Sequence, residues 1–212
     1  MKTLIVLIFI LICGCQNPTL DQYNANNYKE LKSQFQPQFI NQFPKHINSK
    51  IAFTDCSTDI EKNKVGLILY EYIVSSRELD SIKNFTASKA LIAKYNSFDS
   101  CLLIVNRFET KYTSENGIVP TIQDSTQLKR NCYNKMVPVP KFIDYDGGGA
   151  VTTCGLDSTF TIYVLEAKPG IYFEKYQKKP FVQMPEKWAN GYSKGIAISR
   201  KDKTVIYWSI MW

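Results

Sequence analysis

The C-terminal residues constrain the fold more than any other part of the chain. Two apolar runs, Gly195 to Ser199 and Thr204 to Met211, flank the polar turn Arg200-Lys201-Asp202-Lys203, a pattern that predicts a β-hairpin. Pairing Ser199 with Thr204 sets Ala197 opposite Ile206 and Gly195 opposite Trp208, so small residues make room for large ones on one face. Ile196, Ile198, Val205 and Tyr207 gather on the other face. A hairpin that is apolar on both faces has to be covered on both, which places it in the interior of a sheet.

The remaining periodicities supply partners for that hairpin. Tyr28, Leu31 and Phe35 fall at helical spacing, and Pro37 opens a second short helix with Phe39, Ile40 and Phe43 on one face before Pro44 closes it. Ile51 and Phe53 alternate as a short strand, and Val65 to Val74 is rich in strand formers. The stretch Asp80 to Tyr95 reads as a helix, Cys101 to Val105 as a buried strand, and Phe160 to Glu166 as a strand stopped by Lys168-Pro169-Gly170. Residues 111–141 read mostly as loop, with a short helix near Thr126 to Arg130. Long loops often carry function. Five or six strands and two or three helices, in no βαβ rhythm, predict an α+β domain built on a mainly antiparallel sheet.

The opposite end of the chain reads as an address. One positive charge, Lys2, precedes ten apolar residues, Leu4 to Cys13, which is the layout of a secretory signal. Ten helical residues cover about 15 Å, against about 30 Å of bilayer hydrocarbon, so a permanent span is disfavoured. The segment ends Ile12-Cys13-Gly14-Cys15, with an aliphatic residue at minus three and a small one at minus one. It resembles the lipobox of bacterial lipoproteins over about the first fifteen residues. The resemblance implies cleavage before Cys15, acylation of that cysteine, and anchorage to a membrane of the bacterial cell envelope. Several acyl chains, at about 0.8 kcal/mol per buried methylene, hold such an anchor effectively permanently. The expected organisation is a signal peptide over residues 1–14, a flexible polar tether over 15–27 with about 20 Å of reach, and one globular domain over 28–212.

Composition narrows the function classes. Loss of residues 1–14 removes one lysine from a chain with 26 basic and 19 acidic residues, which leaves a mild positive bias. The lysines are scattered, so no nucleic-acid partner is expected. Aromatic residues make up 13% of the chain, which argues for a packed globule rather than a disordered stalk. Of six cysteines, Cys56, Cys101, Cys132 and Cys154 remain in the folded part. In an oxidising compartment they read as disulfides with three possible connectivities. The favoured pairs are Cys132 with Cys154 and Cys56 with Cys101, because the first brackets an irregular stretch whose closure is worth about 3 kcal/mol.

The motifs that suggest chemistry fail on context. Gly191-Tyr192-Ser193-Lys194-Gly195 matches the G-x-S-x-G of serine hydrolases, but a strand follows the serine where the elbow needs a helix. The single histidine, His46, lies upstream in an apparent loop without a residue to orient it, so a surface or capping role is expected. One histidine and no C-x-x-C cannot build the usual zinc set. Asp144-Tyr145-Asp146-Gly147-Gly148-Gly149 resembles the start of an EF-hand loop, yet Gly148 and Gly155 stand where two oxygen donors belong. The same glycines lack the lysine and helix start of a phosphate loop. No metal or other cofactor is therefore implied.

Tyr172, Tyr176, Trp188 and Tyr192 lie in or beside turns and are the candidates for stacking on a ligand; core packing is the competing use of such rings. The resulting expectation is a lipid-anchored, non-catalytic envelope protein that binds a protein or glycan partner through the long central loop and the turn aromatics. The alternative is an envelope hydrolase working with a pair of carboxylates.

Overall fold

The computed structural model describes residues 20–58, 65–105, 132, 135–143, 152–172 and 184–212, with side chains from residue 26 onward. Among them, three α-helices pack on a six-stranded antiparallel sheet, an α+β architecture. In chain order these are α1 (Leu20–Ser33), α2 (Pro37–Ile40), β1 (Ile51–Ser57), β2 (Val65–Tyr72), α3 (Ser76–Ser88), β3 (Ala93–Asn96), β4 (Ile104–Val105), β5 (Val139–Pro140), β6 (Thr161–Pro169), β7 (Gly191–Ser199) and β8 (Thr204–Met211). The main sheet runs β1-β2-β8-β7-β6-β3, and β4 pairs with β5 in a separate parallel ribbon.

The C-terminal hairpin takes the two central positions of the sheet. Its register pairs Ser199 with Thr204, Ala197 with Ile206 and Gly195 with Trp208, as the alternation of small and large residues predicts. Every residue of β7 is buried. A Cβ on Gly195 would meet the Tyr163 carbonyl oxygen at 2.2 Å and the Trp208 ring at 2.4 Å, so only glycine lets the indole lie flat across the strand.

Each face of the sheet has its own core. On the helical face, Leu67, Leu69, Ile196, Ile198, Val205, Tyr207 and Met211 pack against Tyr28, Phe35, Phe39 and Phe43. On the opposite face, Ile68, Tyr70, Ile162, Val164, Ile206 and Trp208 pack beneath an irregular layer containing Leu102 to Val105, Val139, Phe142, Leu156 and Trp188. Full burial of a large apolar side chain contributes about 1.5–3 kcal/mol, and the two layers together supply the driving force for closing both faces. Tyr hydroxyls pin the irregular layer: Tyr70 accepts the Ile143 N–H at 3.1 Å, and Tyr95 accepts that of Val137 at 2.9 Å.

The structure departs from the sequence reading in four places. The third helix starts earlier, because the Ser75 side chain caps the Glu78 N–H, and it stops at Ser88. Residues 93–95, read as the end of that helix, instead fall in β3, which pairs with β6. Of the stretch 101–105, only Ile104 and Val105 pair as a strand, and they do so outside the main sheet. The polar stretch 20–27, read as tether, is helical backbone; α1 is held at its C-terminal half by Tyr28, whose hydroxyl donates to the Pro44 carbonyl at 2.7 Å.

The cysteines also pair differently from the favoured reading. Cys101 bonds to Cys132, with Cα atoms 5.8 Å apart, while Cys56 and Cys154 are free. Cys56 packs on the helical face and Cys154 is buried in the core of the other. The sheet therefore separates Cys56 from the Cys101 side. Cys154 directs its thiol to the Ser97 carbonyl at 3.4 Å instead of to Cys132. No described helix is long and apolar enough to cross a membrane. Residues 1–19, including Cys15, lie outside the described residues.

Candidate functional site

Where β6 ends and β7 begins, strand pairing sets Glu166 beside Lys194 and Lys168 beside Tyr192. An irregularity between Val164 and Glu166 shifts the register there, and so aims the Glu166 carboxylate at both lysines. The distances are 2.7 Å to the Lys168 ammonium and 2.9 Å to that of Lys194. Burial works to raise the Glu166 pKa, but hydrogen bonds from Lys168, Tyr192 and Lys194, with the charge of Lys194, overcome it and bring it down to about 2. Burial, and donation to Glu166, push the Tyr192 phenol up, so its proton stays in place.

Lys194 is buried and spends all three ammonium donors: on Glu166, on the Gln38 carbonyl of α2, and on the Asn41 side chain at 3.2 Å. It therefore acts as a clamp between α2 and the sheet rather than as a nucleophile. Alongside, Gln42 donates to the Trp208 carbonyl at 2.7 Å. Beyond β6, Gly170 takes φ +130 and turns the chain so that the Tyr172 ring stands edge-on to Tyr192, centroids 4.5 Å apart. Phe39 completes the group, 5.1 Å from Tyr192 and 6.0 Å from Tyr172. Tyr172 is half-buried, and Ile171 next to it is 58% exposed.

Of the four aromatic candidates, Tyr172 and Tyr192 thus come together. Trp188 does not join them. It is buried on the other face against Trp212, whose indole donates to the Trp188 carbonyl at 2.8 Å, and Lys187 lies over its ring. Tyr176 lies outside the described residues, as do Asp144 to Gly149. Ser193 of the G-x-S-x-G stretch lies within β7, not in a turn, and donates to the Pro138 carbonyl at 2.6 Å. His46 is exposed in the loop after α2, and that loop rests on the opposite face of the sheet from Ser193.

Among the described carboxyls, Asp202 accepts from Ser199 at 2.7 Å and from Thr159 at 2.8 Å. The Ser199 bond, opposed by burial and helped by Thr159, holds Asp202 below the usual carboxylate range. Among the described residues, no group of three or more His, Cys, Asp or Glu side chains is placed to hold a metal ion.

Comparison with family models, curated proteins and solved structures finds no match for this chain.

Three charged residues escaped the sequence reading. Glu166 and Lys194 carried a signal, since a lysine flanked by Tyr192 and Ile196 on an inward face demands a counter-ion. Glu71, the one charge inside the apolar run of β2, is fully buried and carried the same signal.

Proposed function

We propose that the mature chain is an envelope protein anchored by lipid on Cys15, and that it binds a glycan partner, without catalysis, at the corner formed by Tyr172, Glu166 and Lys168. The anchor rests on the short apolar segment and the Ile12-Cys13-Gly14-Cys15 sequence. One observation carries the binding part. A half-buried tyrosine ring, locked edge-on against Tyr192, stands beside a carboxylate–ammonium pair on the ends of paired strands. A ring offers its face to sugar C–H groups, and the charged pair offers a donor and an acceptor to hydroxyls. Paired strands hold the charged pair, and packing against Tyr192 and Phe39 holds the ring, which lowers the ordering cost of binding.

Titration of the purified protein with soluble envelope oligosaccharides, followed by tyrosine fluorescence and calorimetry, tests the reading. Saturable binding is expected, weakened at least tenfold in Tyr172→Ala with the melting temperature kept within a few degrees. Absence of binding by the wild type, or equal binding by Tyr172→Ala, overturns it. Capture of a protein at this corner in place of a glycan would replace the ligand class.

A further inference from the structure

Glu71 lies in β2, opposite Ala52 of β1 and Val205 of β8, fully buried on the helical face. Its Oε1 accepts the backbone N–H groups of Asn48 at 2.7 Å and Ser49 at 3.3 Å. Its Oε2 is buried with no hydrogen-bond partner. A carboxylate in that position forgoes much of the hydration it has in water, and two amides on one oxygen only partly replace it.

The surroundings favour the neutral acid. Tyr28 of α1 and Tyr207 of β8 face the carboxyl as uncharged phenols, and Glu78 of α3 adds a like charge. Lys32 of α1 is committed to the carbonyls of Phe43 and Pro44, at 3.5 and 2.7 Å. In the loop itself, Lys45, His46 and Lys50 are exposed. Between Pro44 and Lys50 only Pro44, Ile47 and Ser49 are half-buried, and the other residues face solvent. Lifting this loop is therefore the least costly way to bring water to Oε2.

We propose that Glu71 is a proton-sensitive latch: protonated, it holds the Pro44–Lys50 loop through two backbone amides, and on ionisation it releases that loop to admit water. Burial raises its pKa, against the hydrogen bonds from Asn48 and Ser49, and Glu78 adds to the rise. The sign follows from linkage. A carboxyl whose pKa is higher in the closed form favours closure below the ordinary value of about 4.3. Above that pH the opening constant climbs by up to tenfold per pH unit, and it levels off once the raised pKa is passed.

Hydrogen exchange of the full chain between pH 4 and 8, corrected for the pH dependence of intrinsic exchange, reads this directly at the Asn48 and Ser49 amides. Wild-type protection is expected to fall by up to tenfold per pH unit and then level off. Glu71→Gln, which keeps an oxygen for both amides, is expected to show flat protection. His46→Gln is expected to behave as wild type, which separates the latch from any contribution of the loop's own histidine. Flat or rising wild-type protection, or a pH dependence that survives in Glu71→Gln and vanishes in His46→Gln, overturns the proposal. Should Glu71→Gln fail to fold, the carboxyl carbon shift of Glu71 in the wild type decides, and a titration at or below about 4.3 refutes the latch.

Discussion

Replacing Gly195 by alanine perturbs the sheet sharply, because it adds one methyl group where the Tyr163 carbonyl of β6 and the Trp208 ring of β8 both lie against β7. The new Cβ would stand 2.2 Å from the Tyr163 carbonyl oxygen and 2.4 and 2.5 Å from two atoms of the Trp208 ring. Relief requires a movement of about 1 Å. On one side the obstacle is the backbone of a paired strand, and on the other an indole that is fully buried against Phe142. Overpacking of a core costs about 1–3 kcal/mol, and with neither neighbour free to yield the cost falls at the top of that range, about 3 kcal/mol.

For a domain of this size each kcal/mol shifts the melting temperature by about 2–4 °C, so a fall of about 6–12 °C is expected. Urea denaturation of Gly195→Ala, with the disulfide intact, measures the loss. Trp208→Phe combined with it removes part of the clash, and a favourable coupling of about 1 kcal/mol is expected in the double-mutant cycle. A loss below about 1 kcal/mol in the single variant would refute the register that sets Gly195 against Trp208.

Glu166→Gln is expected to cost about 1–2 kcal/mol at pH 7, after allowance for screening at a carboxylate that is 29% exposed. Because the folded pKa is depressed to about 2, that contribution is present above the unfolded value of about 4.3 and disappears as pH falls through about 2. Paired melts at pH 7 and pH 2 check it: the difference from wild type vanishes at the lower pH, and a difference that persists there contradicts the ion-pair account. Peptide mapping of the oxidised protein is expected to recover Cys101 linked to Cys132; Cys101→Ser is expected to lose about 3–4 kcal/mol for a loop spanning 31 residues, and recovery of a Cys132–Cys154 link would contradict the pairing. Ile73 is 66% exposed and holds φ 56, a left-handed conformation that opposes a β-branched side chain. Ile73→Asn is therefore expected to raise stability by about 0.5–1 kcal/mol, and an unchanged or lower denaturation midpoint would show that the strain is offset locally.

What could be read from the sequence divides along physical lines. The hairpin was legible because both of its faces alternate without a break and because Gly195 and Ala197 leave space for Trp208 and Ile206, so one register satisfies every pair. β3 was not legible, since Ala-Lys-Tyr-Asn carries no strand signal of its own and takes that form only by pairing with β6. The early start of α3 was present in Ser75 and Glu78 as a cap, three residues apart, but stood outside the apolar period used to find the helix.

Cysteine pairing depended on which face of the sheet each thiol meets, information that appears only once strands are assembled: Cys56 faces the helices, whereas Cys154 lies in the core opposite. The candidate site was legible in part for a similar reason. Tyr172 does follow a turn, at Gly170, but Tyr192 is buried within β7, and Trp188 goes to the opposite face although it is only four residues from Tyr192. The Glu166–Lys194 contact also required a shift in register that no local pattern announces.

The proposed place of the protein in the cell rests on residues 1–15, and intact mass analysis of the product made by its native host tests it most directly. The account predicts a chain that begins at Cys15, lacks residues 1–14 and carries the added mass of several acyl chains. A product that retains Met1, or that presents an unmodified Cys15, would contradict it.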